Sequence, residues 1–590
     1  MAIKDFEFPG VELHQEFVEV PATGVSQLGV AVVGYQYKLL PYNEFVYGGT
    51  ATTINLLDVP GYSEDEYIDT SAGAPHGIIV QDATVLNYTA TSSSTELKTV
   101  PASSPVADNG KSATVTFDNY LQAGTASTAA FGDYKPQIGD AVEVYVGSAT
   151  TGTAGLITAI AGKTATVEVN AATVSFAAGT VSQVAFFTQA EGVIDSVTVT
   201  ETSITFPANA TVAISGKTTT VALQDGTYDL LLKYRDAGNT YDGKLGAVDS
   251  LETIRSIFGA IRPENPMAVA LAFALRAANG NGVYFTTTST DATSAAGTLD
   301  AEVAAFETAA GILEKYDYVY SIVPVFGAAA GTANKEAIIQ ALITMAEKTG
   351  KDNESKIRRS IWYGLFPTTS GEYATKSLVD QLIKTRKDIG ASYRAQAVWA
   401  DDPIYAGGVV DTSAVAAAAA GMRSYEPTYR PISNLPYTFF SLGDNAKLTK
   451  LDLKALGQEG IWLVDNNYDG TPVNLRQVTT AVSNNLNKDE ESIVANADSI
   501  ALTLCHVGEN LVGCSNISPA LLTALQDTIK GIMDRYLLNL TGNVYVGPQL
   551  LSWSLDALYQ DPVQLDHIYA TITCEPPKPF NRFVMTLRIV

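Results

Sequence analysis

The chain has 590 residues, 46% hydrophobic and 17% charged, and its 37 basic against 62 acidic residues leave a net charge of −25. That balance excludes nucleic-acid binding, which rests on clustered Lys and Arg that neutralise phosphates, and the apolar content excludes wholesale disorder. At about one domain per 150 residues, the length holds about three or four domains.

The first residues, Met1-Ala2-Ile3-Lys4-Asp5-Phe6-Glu7, are acidic and carry no apolar targeting core. The longest apolar runs, at 267–275 and 414–420, fall well short of the ~20 residues that span a bilayer. A soluble protein that stays in the cytoplasm where it is made is expected, with no membrane insertion. Residues 1–20 alternate loosely, placing Phe6, Phe8, Val11, Leu13 and Phe17 among acids. Asp5, Glu7, Glu12, Glu16 and Glu19 against Lys4 give a side-chain net charge of −4, and Pro9-Gly10 interrupts the run. An extended arm over 1–22 is expected rather than a helix.

From 84 to 226 the chain is rich in Thr, Ala, Val and Gly and alternates with period two, as in Val142-Glu143-Val144-Tyr145-Val146. Such alternation between turn residues predicts half-buried antiparallel strands, hence an all-β inserted domain. Within it Gly-Lys-Ser/Thr recurs at Gly110, Gly162 and Gly216. A phosphate loop needs another Gly five positions earlier, where Pro105, Ile157 and Thr211 stand, and needs a helix to follow. Gly-Lys is therefore read as a two-residue hairpin turn.

From about 227 to 431 the period changes. Helices are predicted over 266–278, 301–313, 335–348, 375–389 and 412–422, alternating with strands over 283–288, 318–325, 360–366 and 393–399. Strand and helix in turn indicate an α/β layer architecture with a largely parallel sheet. The last part, 432–575, reads as α+β. Ser518-Pro519 pairs an N-cap with an N1 proline and opens a helix with Leu521, Leu525, Ile529, Ile532 and Tyr536 on one stripe. Asp527, Lys530 and Asp534 fall on its other side.

Catalytic chemistry is missing from this plan. The four histidines are His14, His76, His506 and His567, so the α/β domain cannot assemble a Ser-His-Asp triad from its own residues. Cys505, Cys514 and Cys574 fit neither a CxxC pair nor a zinc ribbon, and read as reduced thiols or as an inter-subunit cross-link. Acidic clusters such as Asp401-Asp402, Glu64-Asp65-Glu66 and Asp489-Glu490-Glu491 read as solvated faces or turns. Asn279-Gly280-Asn281-Gly282 follows a helix and precedes a strand, the reverse of a dinucleotide loop, and reads as a helix stop. No enzyme, metal or cofactor is expected.

The far end repeats the theme of the first. Ile568, Ala570, Ile572 and Cys574 alternate with polar residues, Pro576-Pro577-Lys578-Pro579 breaks the pattern, and a strand over 583–590 runs to the last residue. Phe583, Met585, Leu587 and Ile589 share one face of it, and 577–590 carries Lys578, Arg582 and Arg588 with no acid. An acidic arm and a basic strand are matched partners, either within one molecule or exchanged between copies.

Several segments together resemble the contractile tail sheath family of phages and related injection machines. They are Phe8-Pro9-Gly10-Val11, Asn265-Pro266-Met267-Ala268, Asn279-Gly280, Val283-Tyr284, 318–324, 418–422, Gly460-Ile461, Leu475-Arg476-Gln477-Val478-Thr479-Thr480 and 577–590. The resemblance covers about 1–60 and 230–590 and leaves out the β insert. It implies a subtilisin-like, doubly wound middle domain without protease activity over 227–431. Residues 23–83 would pack with that core, 84–226 would decorate the outer surface, and 432–575 would face a tail tube, with Asp527, Lys530 and Asp534 as candidate contacts. The terminal strand of 576–590, including Arg588, would be donated with the N-terminal arm into neighbouring subunits. The implied partners are further copies in hexameric rings stacked as a helix, the tube protein, and baseplate and terminator proteins. The implied place is a virion tail assembled in the host cytoplasm, and the implied work is contraction that drives the tube through an envelope. A tailocin or injection-system sheath fits the same residues, and a surface-layer protein or adhesin is the alternative of another class.

Overall fold

The computed structural model describes 29–63, 68, 70, 77–80, a set of strands between 88 and 236, and 241–579 apart from 290–298, 328–329, 352–358, 369–370, 444–447, 510 and 540–545. The expected arms, with Phe6, Phe8, Val11, Leu13 and Phe17 at one end and Phe583, Met585, Leu587, Arg588 and Ile589 at the other, lie outside the described residues. The chain divides into two compact units, Met1–Gln36 with Tyr241–Val590, and Tyr37–Thr240.

The first unit is built on an eight-stranded sheet in the order Gly246–Val248, Val283–Thr288, Gly29–Tyr35, Val319–Val325, Ser360–Gly364, Ala395–Ala400, Ile461–Asn466 and Pro472–Arg476. The six inner strands pair in parallel and the two edge strands antiparallel. Their sequences explain the burial. Val319–Val325 and Ser360–Gly364 are buried at every position, as expected where helices cover both faces of a parallel sheet. The earliest strand sits between two that come much later, with Val30 opposite Val283 and Val32 opposite Val323.

Two layers of helix enclose this sheet. Leu251–Phe258, Pro266–Ala278 and Thr412–Tyr425 pack on one face, and Leu299–Gly311, Thr332–Lys351, Leu378–Ile389 and Lys450–Gln458 on the other. The helix signals act as the sequence suggests. Asn265 caps the second helix by accepting from the Ala268 N–H at 3.4 Å, and Pro266 follows at the first turn. Asn279 and Gly280 then stop it with φ of 45° and 95°. The run Ala414–Ala420 is buried all round, which marks an inner helix rather than an amphipathic surface one. Small side chains are what the space allows: a Cβ on Gly421 would lie 2.4 Å from the Ala274 carbonyl oxygen, and one on Gly364 would lie 2.2 Å from the Ser413 nitrogen.

Among its described residues the second unit is all antiparallel. Two seven-stranded sheets and one of three strands make it up, and its core gathers Leu40, Phe45, Tyr47, Ile54, Phe206, Tyr228, Leu230 and Tyr234. Lys38–Tyr47 pairs with Gly226–Tyr234 along its length, so this unit is wider than the 84–226 span read from composition. The recurrent Gly-Lys turns meet expectation at one of their three places and differ at the others. Ala161 faces Thr164, which leaves Gly162-Lys163 as a two-residue connection. Ile214 instead faces Lys217, so there the connection is Ser215-Gly216 and the lysine belongs to the strand; three residues separate Asp108 from Ser112. Alternation of the flanking β-branched residues, not the Gly-Lys pair, sets these registers.

The chain leaves and re-enters the first unit at one place, because the Tyr241 N–H donates to Gln36 Oε1 at 3.3 Å. Replacing 37–240 by a short Gly-Ser linker is expected to leave the first unit folded, with native-like circular dichroism and a cooperative melt; an aggregated product would refute separate folding. Gly421→Ala should cost about 1–3 kcal/mol by overpacking, visible as a lowered Tm, and an unchanged Tm would show that the two inner helices are not in tight contact.

Candidate functional site: the polar seam and the terminal hairpin

The helix Glu491–Glu509 is docked on the amino-terminal side of the sheet by charges as well as apolar groups. Its Asp498, 2% exposed, receives Arg394, which immediately precedes a sheet strand and is fully buried. Arg394 Nη2 donates to Asp498 Oδ1 at 2.9 Å and Nη1 donates to Oδ2. The Tyr320 hydroxyl also donates to Oδ2, at 2.8 Å. Burial pushes that hydroxyl well above its ordinary pKa, so it stays a donor. Burial by itself would lower the Arg394 pKa, but the Asp498 charge and hydrogen bonds outweigh it and the net direction is upward.

About two turns earlier on the helix the pattern repeats. Arg423, at the end of the inner alanine helix, donates to Glu491 Oε2 from Nε at 3.0 Å and from Nη2 at 2.8 Å. Its Nη1 reaches the carbonyls of Arg430, Pro427 and Thr428 at 3.0, 3.2 and 3.3 Å. Burial raises the Glu491 pKa and Arg423 opposes that rise. Glu490 and Glu491 are 0% and 1% exposed, which corrects the expectation that Asp489-Glu490-Glu491 is a solvated cluster. A fixed guanidinium with five donors makes burial of a carboxylate tolerable, and spacing along the sequence gives no sign of it.

The segment 475–480 completes the seam. Gln477 accepts from the Ile432 N–H at 2.8 Å and donates to Ser492 Oγ at 2.9 Å. Thr480 exchanges bonds with Ser392 through both backbone groups of that serine at 3.0 Å, and its own carbonyl accepts from Arg386. Gly460, with φ of 75°, leaves room for this segment: a Cβ there would lie 2.8 Å from the Thr479 carbonyl oxygen.

Beyond the seam, the helix Pro519–Tyr536 begins at Ser518, whose hydroxyl accepts from the Leu521 N–H at 3.1 Å. Its buried stripe is Ile529, Met533 and Tyr536. Asp527 and Lys530 are exposed as expected, and Asp534 is exposed but accepts from the Trp553 indole N–H at 3.0 Å. That bond ties the helix to a hairpin of Ser552–Gln560 and Ile568–Glu575, which is a two-stranded sheet among the described residues. Trp553, Ile572 and Cys574 at its base pack on Ile500, Ile529, Met533 and Leu550. A bulge follows Leu555, and the distal half carries the cross-strand pair Tyr559 and Tyr569 with ring centroids 5.8 Å apart. In the connecting loop the Asp561 carboxylate accepts from Gln564 and Val563 N–H groups at 3.0 and 2.6 Å, which hold it below the ordinary carboxylate range.

His506 faces Asp317 at 3.1 Å and His567 faces Asp566 at 2.9 Å. Among the described residues, no group of three or more His, Cys, Asp or Glu converges as a metal site, no helix is long and apolar enough to cross a membrane, and no disulfide joins buried Cys505, exposed Cys514 and buried Cys574.

No family model and no curated protein matches the chain. Among solved structures, the contracted helical sheath of the anti-feeding prophage is 10% identical over 58% of this chain and 87% of its own, with a TM-score of 0.42. A sheath tail protein of Desulfitobacterium hafniense is 9% identical over 96% of this chain and 99% of its own, at a TM-score of 0.33. One of Listeria innocua is 9% identical over 94% and 93%, also at 0.33. These are likenesses of low score, and the functional reading rests on the residues.

Asp498→Ala strands Arg394 and Tyr320 in a dry seam and is expected to cost about 3–5 kcal/mol in urea unfolding. The double variant Arg394→Leu with Asp498→Leu should lose clearly less. Equal losses would mean that packing volume, not an uncompensated charge, dominates at this site.

Proposed function

We propose that this chain is the structural subunit of a contractile tail sheath, which polymerises around a tail tube and contracts to drive the tube through an envelope. The observation that carries the reading is the chain's last part. A hairpin that is two-stranded among the described residues is followed by Pro576-Pro577-Lys578-Pro579 and then by an alternating strand sequence over 583–590. Three prolines in four positions fix φ near −65° and bias the residues before them to extended backbone. Such a stretch advances by ~3.1 Å per residue, which supports a strand over 583–590 that is donated away from its own hairpin. An apolar strand with no local partner is a sticky edge and completes a sheet in another molecule. Four or five backbone bonds at about 0.5–1.5 kcal/mol each give a few kcal/mol per link, which a polymer multiplies.

The acidic arm with Phe6, Phe8, Val11, Leu13 and Phe17 is the second link in this reading. A sheath of stacked six-fold rings, a subtilisin-like layout of the middle domain, and contacts of Asp527 and Lys530 with the tube belong to the same proposal. The largely parallel sheet covered by helices on both faces supports the layout. The buried charges of the seam support a subunit whose sheet and hairpin act together under load. Work would then come from assembly: a long lattice held on the tube and baseplate gives way to a shorter, wider one. A tailocin or injection-system sheath is the alternative that the same residues support.

Electron microscopy of the purified chain tests the reading. Sheath-like cylinders are expected, whereas flat arrays would favour a surface-layer protein, and monomers at high concentration would refute self-assembly. Deleting 583–590 should leave soluble subunits; cylinders from the shortened chain would remove the donated strand from the account.

A further inference from the structure

Gly29 brings the chain into the sheet beside a cluster of tyrosines, its N–H donating to the Tyr318 carbonyl at 2.8 Å. Tyr318 touches two other rings, Tyr284 at 4.9 Å and Tyr316 at 5.6 Å between centroids, and is 42% exposed. Asp317 lies between Tyr316 and Tyr318 in sequence, with its side chain 51% exposed. His506 Nε2 meets its Oδ2 at 3.1 Å. Glu314 and Lys315 are exposed nearby, while Arg359 is buried beneath and donates to the Tyr316 carbonyl at 3.1 Å. The patch is thus a set of tyrosine rings with a half-exposed carboxylate beside Gly29, the first residue of its strand.

That chemistry fits a guanidinium. Ring faces attract cations through their quadrupole, and arginine stacks flat on a ring while its edge bonds a carboxylate. The chain holds a segment of the complementary kind, 577–590, with Lys578, Arg582 and Arg588 and no acid, of which 580–590 lies outside the described residues. We infer that the Tyr284–Tyr316–Tyr318 patch with Asp317 is a docking site for the arginines of segment 577–590 from a second copy of this chain. The inference rests on the proposed self-assembly and adds an anchor to it. Backbone pairing joins strands of almost any sequence, whereas an arginine seated on this patch sets which neighbour and which register is chosen.

The test uses the full-length chain and its critical concentration for assembly, read by light scattering. Asp317→Asn and Tyr318→Ala are each expected to raise it about three- to fivefold, the scale of an exposed cation–π or ion-pair contact. Tyr318→Phe keeps the ring and should assemble like the parent. Arg582→Gln with Arg588→Gln should raise the critical concentration by a similar factor, and combining these changes with Tyr318→Ala should add little more. Additive effects, or patch variants that assemble normally with unaltered melting curves, would overturn the anchor while leaving strand donation intact. A parent chain that forms no polymer would instead remove the self-assembly reading on which the anchor rests. A peptide of sequence 577–590 should inhibit assembly of the parent and have less effect on Asp317→Asn; equal inhibition of both would also count against the patch.

Discussion

Two buried arginine–carboxylate pairs, Arg394 with Asp498 and Arg423 with Glu491, hold the first unit in one piece. The first joins the sheet, and the second the inner alanine helix, to the helix Glu491–Glu509, and that helix supplies Ile500 to the cluster on which the terminal hairpin stands. An apolar contact of the same area would bind with little regard to register. A charge taken out of water tolerates only the geometry that returns its hydrogen bonds, so the seam fixes one docking pose. The position of the hairpin relative to the sheet follows from that pose.

The alanine helix shows the same logic without charge. Gly364 and Gly421 let backbone approach backbone, and the side chains around them are methyl groups. Such a layer cannot expand by one carbon without moving its neighbours. The sheet unit is therefore stiff in two ways, through close packing on one face and through paired charges at its amino-terminal side. The β unit, Tyr37–Thr240, carries its own aromatic core around Phe45, Tyr47, Phe206 and Tyr228.

Much of this architecture was legible in the residues. Pro266–Ala278 and Val283–Thr288 have the bounds that the capping signals and the apolar runs indicated. The parallel sheet followed from strand and helix taking turns along the chain. Sequence order concealed the rest. Asp498 and Arg394 are 104 positions apart, and a buried carboxylate looks like a solvated one until its guanidinium is found. Glu491, which meets Arg423, is the same case. The Gly-Lys turns failed differently: a two-residue signal is weaker than the pairing of the strands around it, so one lysine moved into a strand. Leu378–Ile389 begins at its Ser377 cap, later than the apolar period alone suggested, because the hydroxyl there accepts from the Asp380 N–H.

The place of Gly29–Tyr35 in the sheet has a consequence for how the molecule is made. This strand emerges from the ribosome early, but its neighbours Val283–Thr288 and Val319–Val325 are translated only after the whole β unit. At about 5–20 residues per second the delay is on the order of tens of seconds. The β unit has time to collapse on its own while an apolar strand waits without its sheet. The nascent chain therefore passes through a stage in which one of its central strands is open to chaperones and to other nascent chains alike.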